Sequence, residues 1–177
     1  MKIEPVQQSA EKSFEAYLDI ETTGLSQWLN DITVIGIFRC NGTENDFMQF
    51  YGREITRDNI LSALNGVHTI YTYNGKRFDI PFIEAFLGIN LEASFNHDDL
   101  MYKCWARNLK GGFKSVEKQL GIERETQGVD GLQAVWLWNQ YLDCNDEEAL
   151  NLLLKYNRDD VVNLKTLKEK LQVEESQ

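Results

Sequence analysis

Two carboxylates lie within a stretch whose pattern otherwise indicates a buried β-strand. Between Phe14 and Glu21, apolar residues alternate with Glu15, Tyr17, Asp19 and Glu21. Because side chains alternate between the two faces of a strand, Asp19 and Glu21 project from the same face. Neighbouring carboxylates raise each other's pKa unless a cation neutralises them, and a divalent ion with oxygen ligands is the usual choice. The stretch predicts either a metal-binding strand or an edge strand with a solvated outer face.

The rest of the chain predicts a mixed sheet with helices packed on it. Further strands are predicted at 31–40, near 45–51, at 67–73 and near 94–97, and helices at 56–64, 81–87, 98–109, 113–120, 132–142 and 146–171. The Asn41-Gly42 turn makes the first three strands an antiparallel meander, and the helix before the fourth strand indicates parallel pairing from there on. The pattern predicts an α/β fold with a mixed five-stranded sheet, three antiparallel and then two parallel strands, flanked by helices.

Length and composition indicate one domain. The 177 residues are 42% hydrophobic, which suits one well-filled α/β domain at 14–172, with a flexible N-terminal lead-in at 1–13 and a polar tail at 173–177. No apolar run approaches membrane-spanning length, so we expect a soluble, cytoplasmic protein that does not bind membranes. The cysteines Cys40, Cys104 and Cys144 are odd in number and far apart, which predicts reduced thiols in the core.

The net charge limits the kinds of ligand that the protein binds. At −10, it argues against broad coating of a nucleic-acid backbone, which needs a basic surface. A metal site collects acids, but setting aside four site carboxylates from the 28 acids still leaves them in excess over the 18 bases. We therefore expect a small footprint on the ligand, such as the end of a strand.

Two further acids occupy positions that suit a metal site. Asp79 follows the fourth strand, and since the carboxyl ends of parallel strands meet at one edge of a sheet, we expect it beside Glu21. The alternative is that Asp79 caps the helix that follows. In the last helix, Tyr156 and Asp160 lie one turn apart on or beside a buried apolar stripe. A buried Asp160 needs a cation or several hydrogen bonds, unless the helix is rotated so that this residue is exposed.

Three short motifs together resemble those of a known family. They are Asp19-x-Glu21, Asn74-Gly75-x-x-Phe78-Asp79 and Tyr156-x-x-x-Asp160. In order, residue types and spacing, they are similar to the motifs of the DEDDy exonucleases of the ribonuclease H-like superfamily. The most similar subgroup is that of the YprB-like predicted exonuclease domains, which are related to the proofreading domains of family-B DNA polymerases. The resemblance extends over roughly 14–171.

The resemblance implies a ribonuclease H-like fold and a metal-dependent 3′ to 5′ exonuclease. Such an enzyme hydrolyses phosphodiester bonds at the 3′ end of single-stranded DNA or RNA and releases nucleoside monophosphates. The resemblance also implies that Asp19, Glu21, Asp79 and Asp160 hold two Mg²⁺ or Mn²⁺ ions, which activate water and stabilise the leaving 3′ oxygen. Tyr156 would orient that water, because its ordinary pKa is too high for an efficient base.

The resemblance also implies which residues hold the nucleic acid. They are Thr22, Thr23, Gly24 and Leu25 at the terminal sugar and base, and Asn74 and Phe78 at the preceding nucleotide. For Leu25 and Phe78 the alternative is core packing. A second candidate surface, at 103–118, is rich in lysine and arginine and includes Trp105, which fits either guidance of a single strand or a solvated helix face.

A function of another class fits the same fold. It is a nucleic-acid-binding or docking module whose catalysis is weak or lost, and the net acidity keeps it open whereas the complete set of acids argues against it. A dedicated RNA-trimming enzyme differs only in recognition of the 2′-hydroxyl, which this sequence does not reveal. The sequence identifies no protein partner.

Overall fold

A computed structural model describes residues 13–175, with side chains described as far as residue 172. Of the predicted lead-in and tail, residues 1–12 and 176–177 lie outside the described residues. The backbone of 173–175 continues the last helix, so the predicted tail begins within a helix.

Five strands form one mixed sheet. They are β1 (Phe14–Thr22), β2 (Ile32–Cys40), β3 (Asn45–Tyr51), β4 (Val67–Thr72) and β5 (Asn96–Asp99), in the spatial order β3-β2-β1-β4-β5. The pairs β1–β2 and β2–β3 are antiparallel, and β1–β4 and β4–β5 are parallel. The predicted α/β architecture is therefore confirmed. Because β1 is the central strand, the interpretation of its acids as a solvated outer face of an edge strand is wrong.

Seven helices accompany the sheet within residues 13–175. They are α1 (Arg57–Ala63), α2 (Asp79–Leu87), α3 (Leu91–Ser94), α4 (Leu100–Ala106), α5 (Phe113–Leu120), α6 (Gly131–Cys144) and α7 (Glu147–Glu175). A 3₁₀ turn at Gly52–Glu54 follows β3. The Thr56 side chain caps α1 by accepting a hydrogen bond from the backbone N–H of Asn59 at 3.2 Å.

Two predicted helix starts are wrong by two residues, and both errors involve aspartates near the site. The predicted helix at 98–109 begins only at Leu100, because β5 extends to Asp99, whose side chain caps α4 by accepting from the backbone N–H of Met101 at 3.1 Å. Helix α2 begins at Asp79 rather than at Pro81. Asp79 is thus the first residue of that helix and not its N-cap, which leaves its carboxylate for another role.

Helix α7 packs across β1 and β2, and a glycine permits the close approach. Gly36 pairs with Asp19 in the β1–β2 register. A Cβ atom at Gly36 would lie 2.3 Å from Oδ1 of the buried Asn157 of α7. Asn157 Nδ2 donates to the backbone oxygen of Asp19 at 3.3 Å and to its Oδ2 at 3.1 Å. These contacts fix α7 against the strand that carries the first acids.

Two remaining predictions concern the cysteines and the membrane. Cys40 and Cys104 are buried and form no disulfide, as predicted, but Cys144 is exposed, because it is the last residue of α6 and lies outside the core. No helix in the described part of the chain combines the length and the apolarity needed to cross a membrane.

Candidate active site

Four acids from three regions of the chain meet at the carboxyl end of β1. Asp19, Glu21 and Asp160 each place one ligand oxygen within 4.8 Å of the others. Glu21 and Asp160 are buried, and Asp19 is partly buried. Asp79 lines the same cleft, and its Oδ1 accepts a hydrogen bond from the backbone N–H of Ile20 at 3.1 Å. The structure thus brings together all four acids that the sequence singled out.

The topology explains how residues so distant in sequence converge. Asp19 and Glu21 share a face because strand side chains alternate. Strand β4 lies parallel to β1, so the loop that leads from β4 to Asp79 lies at the same edge of the sheet as Glu21. Asp160 lies on the face of α7 that packs against the sheet, less than one turn beyond Asn157. The possible rotation of this helix that would expose Asp160 is therefore excluded.

Burial and mutual repulsion disfavour ionisation of these acids. Burial, followed by the charge of Asp160, raises the pKa of both Asp19 and Glu21 well above the ordinary values. Burial also raises the pKa of Asp79 to about 7. The pKa of Asp160 is raised by burial too, although the guanidinium of Arg124 opposes that shift. Ionising these acids together would concentrate negative charge in a buried place, and a bound cation would stabilise that ionised form.

The donor set fits a hard divalent cation. Every ligand atom that the cluster offers is a carboxylate oxygen, which is the donor that Mg²⁺ and Mn²⁺ prefer. His97, a conceivable softer ligand, contacts other groups. Its Nε2 lies 2.8 Å from the hydroxyl of Thr72 and its Nδ1 3.3 Å from Glu92 Oε1, so both ring nitrogens contact other side chains.

Tyr156 borders the acids and is bound by a lysine. Lys114 Nζ donates to the phenol oxygen of Tyr156 at 2.9 Å, lies 4.2 Å from its ring centroid, and also donates to the carbonyl oxygen of Val129. Burial, followed by the charge of Asp160, raises the pKa of Tyr156 far above its ordinary value. A raised pKa favours the protonated phenol, which suits the predicted orienting role better than that of a general base.

Sequence reasoning missed the two cations beside the acids. Lys114 was considered only as part of the basic surface at 103–118, and Arg124, which forms an ion pair with Asp160, was not considered. Arg124 lies in the connection between α5 and α6, where no periodic pattern marks its direction. The expected basic surface is also less continuous than predicted, because Lys103 forms an ion pair with Asp98 and Lys118 lines a different cavity.

Most of the residues expected to hold nucleic acid line the cleft. Its volume is about 940 Å³, and Thr22, Gly24, Leu25, Asn74 and Phe78 contribute to its walls. Thr23 does not line it: its backbone N–H donates to the carbonyl of Asp31 at 2.9 Å, and its Oγ1 accepts from the Asp31 N–H at 3.0 Å. The predicted contact of Thr23 with the terminal nucleotide is thus not supported, because Thr23 closes the β1–β2 connection.

The two apolar residues of the predicted nucleic-acid site differ in exposure. Leu25 is 88% exposed at the rim of the cleft, so core packing is the wrong interpretation for it. Phe78 is partly buried and packs on Phe82, with the ring centroids 4.9 Å apart, yet it also lines the cleft. Leu132, which also lines the cleft, is 83% exposed, and Trp105 is partly exposed with the Arg77 guanidinium 5.9 Å from its ring centroid.

Comparison with known proteins identifies the family. A family model described as the RNase H superfamily matches residues 16–172. The chain belongs to the RNase H superfamily. The ribonuclease H-like fold that the three motifs implied is thereby confirmed, whereas the DEDDy type and the YprB-like subgroup stay predictions. A search of curated protein sequences gives no match.

Solved structures of other proteins share this superfamily fold. A structure described as the apo form of a nuclease is 19% identical with a TM-score of 0.60, covering 92% of this chain and 72% of its own. NrnC of Brucella melitensis with bound Mg²⁺ is 18% identical with a TM-score of 0.58, covering 96% and 76%. Apo exonuclease I is 17% identical with a TM-score of 0.51, covering 64% of this chain, which therefore spans only 38% of that longer protein.

Proposed function

We propose that this RNase H superfamily protein is a metal-dependent 3′ to 5′ exonuclease that acts on single-stranded nucleic acid and releases nucleoside monophosphates. The observation that carries the proposal is the buried cluster of Asp19, Glu21 and Asp160, with ligand oxygens within 4.8 Å of one another, at the base of an open cleft. The names of two proteins of the same fold, a nuclease and a Mg²⁺-bound NrnC, agree with it. The direction of hydrolysis rests on the resemblance of the three motifs.

In this proposal the four acids hold the metal. Asp19, Glu21 and Asp160 offer converging carboxylate oxygens, and Asp79 adds negative charge from the edge of the cleft. Divalent ions, when bound, activate the attacking water and stabilise the charge that develops at phosphorus and on the leaving oxygen. The backbone N–H of Ile20 holds the Asp79 carboxylate in place at 3.1 Å. The side-chain amide of Asn157 does the same for Asp19.

Tyr156 and Lys114 act together in the proposed reaction. The phenol oxygen accepts a hydrogen bond from Lys114, so the phenol's own proton is available to an oxygen in the cleft. We assign Tyr156 to orienting the attacking water and Lys114 to orienting Tyr156. The positive charge of Lys114, close to the acids, also favours the approach of a phosphate.

The walls of the cleft suit the end of a single strand. Leu25 and Leu132 present exposed apolar side chains, and Trp105 offers an aromatic face on which a base can stack. A cleft of about 940 Å³ holds a strand terminus rather than a length of duplex. The net charge of −10 agrees with such a small contact.

Degradation of end-labelled oligonucleotides tests the proposal. Single-stranded DNA and RNA with a 5′ label are incubated with the protein in the presence of Mn²⁺, Mg²⁺ or EDTA. We expect a ladder that shortens from the 3′ end and accumulation of nucleoside monophosphates with either metal, and no cleavage with EDTA. The matched control is Asp19→Asn, which keeps the shape of the side chain and removes its charge.

Each other outcome leads to a different conclusion. Binding of the oligonucleotides without cleavage under any condition would indicate that the protein is the docking module and not an enzyme. Cleavage of RNA alone would indicate the RNA-trimming enzyme. Internal cuts, or shortening from the 5′ end, would contradict the proposed direction.

A further inference from the structure

A chain of buried polar contacts runs behind Asp160, away from the cleft. Arg124 Nη2 donates to Asp160 Oδ1, and its Nε donates to Glu117 Oε2 at 2.5 Å. Glu117 Oε1 in turn accepts from Asn163 Nδ2 at 2.7 Å. We call these four residues the arginine network. Its members come from α5, from the segment after α5 and from α7, so the network joins three parts of the fold.

The network is buried, so its charges must balance locally. Glu117 is 1% exposed, and the Arg124 side chain is 9% exposed. Burial works against the charged form of Arg124, but its hydrogen bond to Glu117 and the charge of Asp160 raise its pKa. An isolated Glu117–Arg124 pair would already be neutral. The contact with Asp160 is therefore more than the pair needs for its own neutrality.

The backbone around Arg124 is fastened to the same helix. Asn163 Nδ2 donates to the carbonyl oxygen of Glu123 at 3.0 Å. The Asp159 carboxylate accepts from the backbone N–H of Thr126 at 2.8 Å and from its hydroxyl at 2.5 Å. Because α7 holds the segment on both sides of Arg124, its backbone is fixed beside Asp160, and turning the guanidinium away would break its own buried hydrogen bonds to Glu117 and Asp160.

We propose that Arg124 is a positioning residue that fixes the Asp160 carboxylate for the metal, and that Glu117 offsets the charge of Arg124. This inference rests on the proposed function. A fixed guanidinium holds one oxygen of Asp160 and so sets the direction of the other. Glu117 makes the Arg124 pair neutral overall, so that the guanidinium orients the carboxylate with little repulsion of an incoming cation. Partners that hold a metal ligand in this way contribute about 10- to 100-fold in affinity or activity.

The decisive variant removes both charges of the pair. In Arg124→Gln alone, Glu117 becomes a buried acid without its cation, which destabilises the fold for a reason that has nothing to do with metal binding. The double variant Glu117→Gln with Arg124→Gln removes that problem and keeps hydrogen-bonding groups at both positions. Arg39→Gln is the control, because Arg39 forms a 3.2 Å ion pair with Asp46 of β3 and contacts none of the four acids through its guanidinium.

Metal binding is measured directly, from the electron paramagnetic resonance signal of free Mn²⁺, beside the thermal midpoint, kcat and KM. We expect the double variant to unfold within a few degrees of the wild-type midpoint and to bind Mn²⁺ about 10- to 100-fold more weakly. Its kcat should fall with KM for the oligonucleotide unchanged, because Glu117 and Arg124 are not among the residues that line the cleft. Arg39→Gln should bind Mn²⁺ as the wild type does.

Two results would overturn the inference. One is a folded double variant that binds Mn²⁺ as tightly as the wild type, and the other is a double variant that does not fold, which would make the network a structural ion pair. A wild-type protein that binds Mn²⁺ but cuts no oligonucleotide would instead remove the proposed function, and the comparison of Mn²⁺ affinities would still decide the role of Arg124.

Discussion

Strand β1 and helix α7 meet at two places with opposite arrangements of charge. At the start of β1, Lys168 Nζ lies 2.6 Å from Glu15 Oε2, and the hydroxyls of Tyr17 and Tyr71 donate to the same carboxylate at 3.2 and 3.4 Å. We call this the basic end of the interface. At the end of β1, the same helix faces the strand with the acid Asp160, which we call the acidic end.

The difference shows which charges the packing of α7 on β1 requires. At the basic end burial works against the Lys168 ammonium, but its hydrogen bond to Glu15 raises its pKa, so one acid and one base satisfy each other. At the acidic end the pKa of Asp19 and Asp160 is raised, so the ionised carboxylates are disfavoured by their surroundings. A lysine of α7 at the acidic end, like Lys168 at the basic end, would have neutralised the acids of β1. The presence of Asp160 there instead is explained by a function that needs carboxylates.

The largest expected effect is the loss of hydrolysis when the acidic end is neutralised. Asp160→Asn keeps the shape of the side chain but removes the charge that would hold a metal. We expect kcat/KM on single-stranded oligonucleotides to fall by about a thousandfold, or about 4 kcal/mol in transition-state stabilisation. Glu15→Gln makes the matched change at the basic end and should leave the rate within about twofold. Equal losses in the two variants would show that the two ends do not differ in function.

A second prediction concerns stability without metal. A carboxyl group whose pKa is raised by folding binds more protons in the folded state, so its ionisation lowers the free energy of unfolding as the pH rises. For Asp79 the window runs from about 4, its ordinary value, to about 7. With EDTA present, Asp79→Asn should therefore be more stable than the wild type at pH 8, by on the order of 3 kcal/mol, and equally stable at pH 4.

Urea unfolding at the two pH values measures this difference. Glu15→Gln, at the basic end, is the control, and it should show no gain in stability at pH 8. Adding Mn²⁺ should reverse the order at pH 8, because a bound cation stabilises the ionised wild-type acids. A variant that is less stable than the wild type at pH 8 in EDTA would contradict the claim that the acidic end destabilises the folded protein.

The third prediction compares the phenols at the two ends. Tyr156→Phe removes the hydroxyl that accepts from Lys114 beside the acids, so the attacking water loses its orienting partner. We expect kcat to fall by about 10- to 100-fold, or roughly 2 kcal/mol, with little change in Mn²⁺ affinity. Tyr17→Phe removes a hydroxyl that contacts Glu15 at the basic end and should leave kcat unchanged. A fall in Mn²⁺ affinity with unchanged kcat would place Tyr156 among the metal-holding groups instead.

Much of the acidic end could be predicted from periodicity. The alternation along β1 placed Asp19 and Glu21 on one face, and the apolar stripe of α7 placed Asp160 on the side that packs against the sheet. Parallel pairing of β4 with β1 brought Asp79 to the same edge. These positions follow from repeating backbone geometry, which a single sequence records. The cytoplasmic location and the DNA or RNA preference stay predictions.

What the sequence did not reveal depends on segments without a period. Arg124 reaches Asp160 because the chain turns at Gly121, which has a φ of 63°, and is then fastened to α7. Lys114 lies in α5, whose apolar period marks the face that packs on the core but does not show which groups its polar side chains contact. The position of Thr23 outside the cleft lining was also not foreseen, because its contact with Asp31 depends on the shape of the β1–β2 connection. In each case the deciding contact joins residues whose spacing carries no regular signal.

The smallest expected effect is at the basic end itself. Lys168→Met keeps an apolar stem beside Tyr71, whose ring centroid lies 4.3 Å from the Lys168 Nζ, and removes only the charge. Glu15 is 40% exposed, so water replaces part of the lost contact, and we expect a loss of about 1 kcal/mol, or about 3 °C in Tm. The rate of hydrolysis and the Mn²⁺ affinity should stay at wild-type values. Since α7 carries both Lys168 and Asp160, any fall in Mn²⁺ affinity would mean that the ion pair at one end holds the helix in register for the acids at the other. The basic end would then contribute to metal binding and would not be only a structural contact.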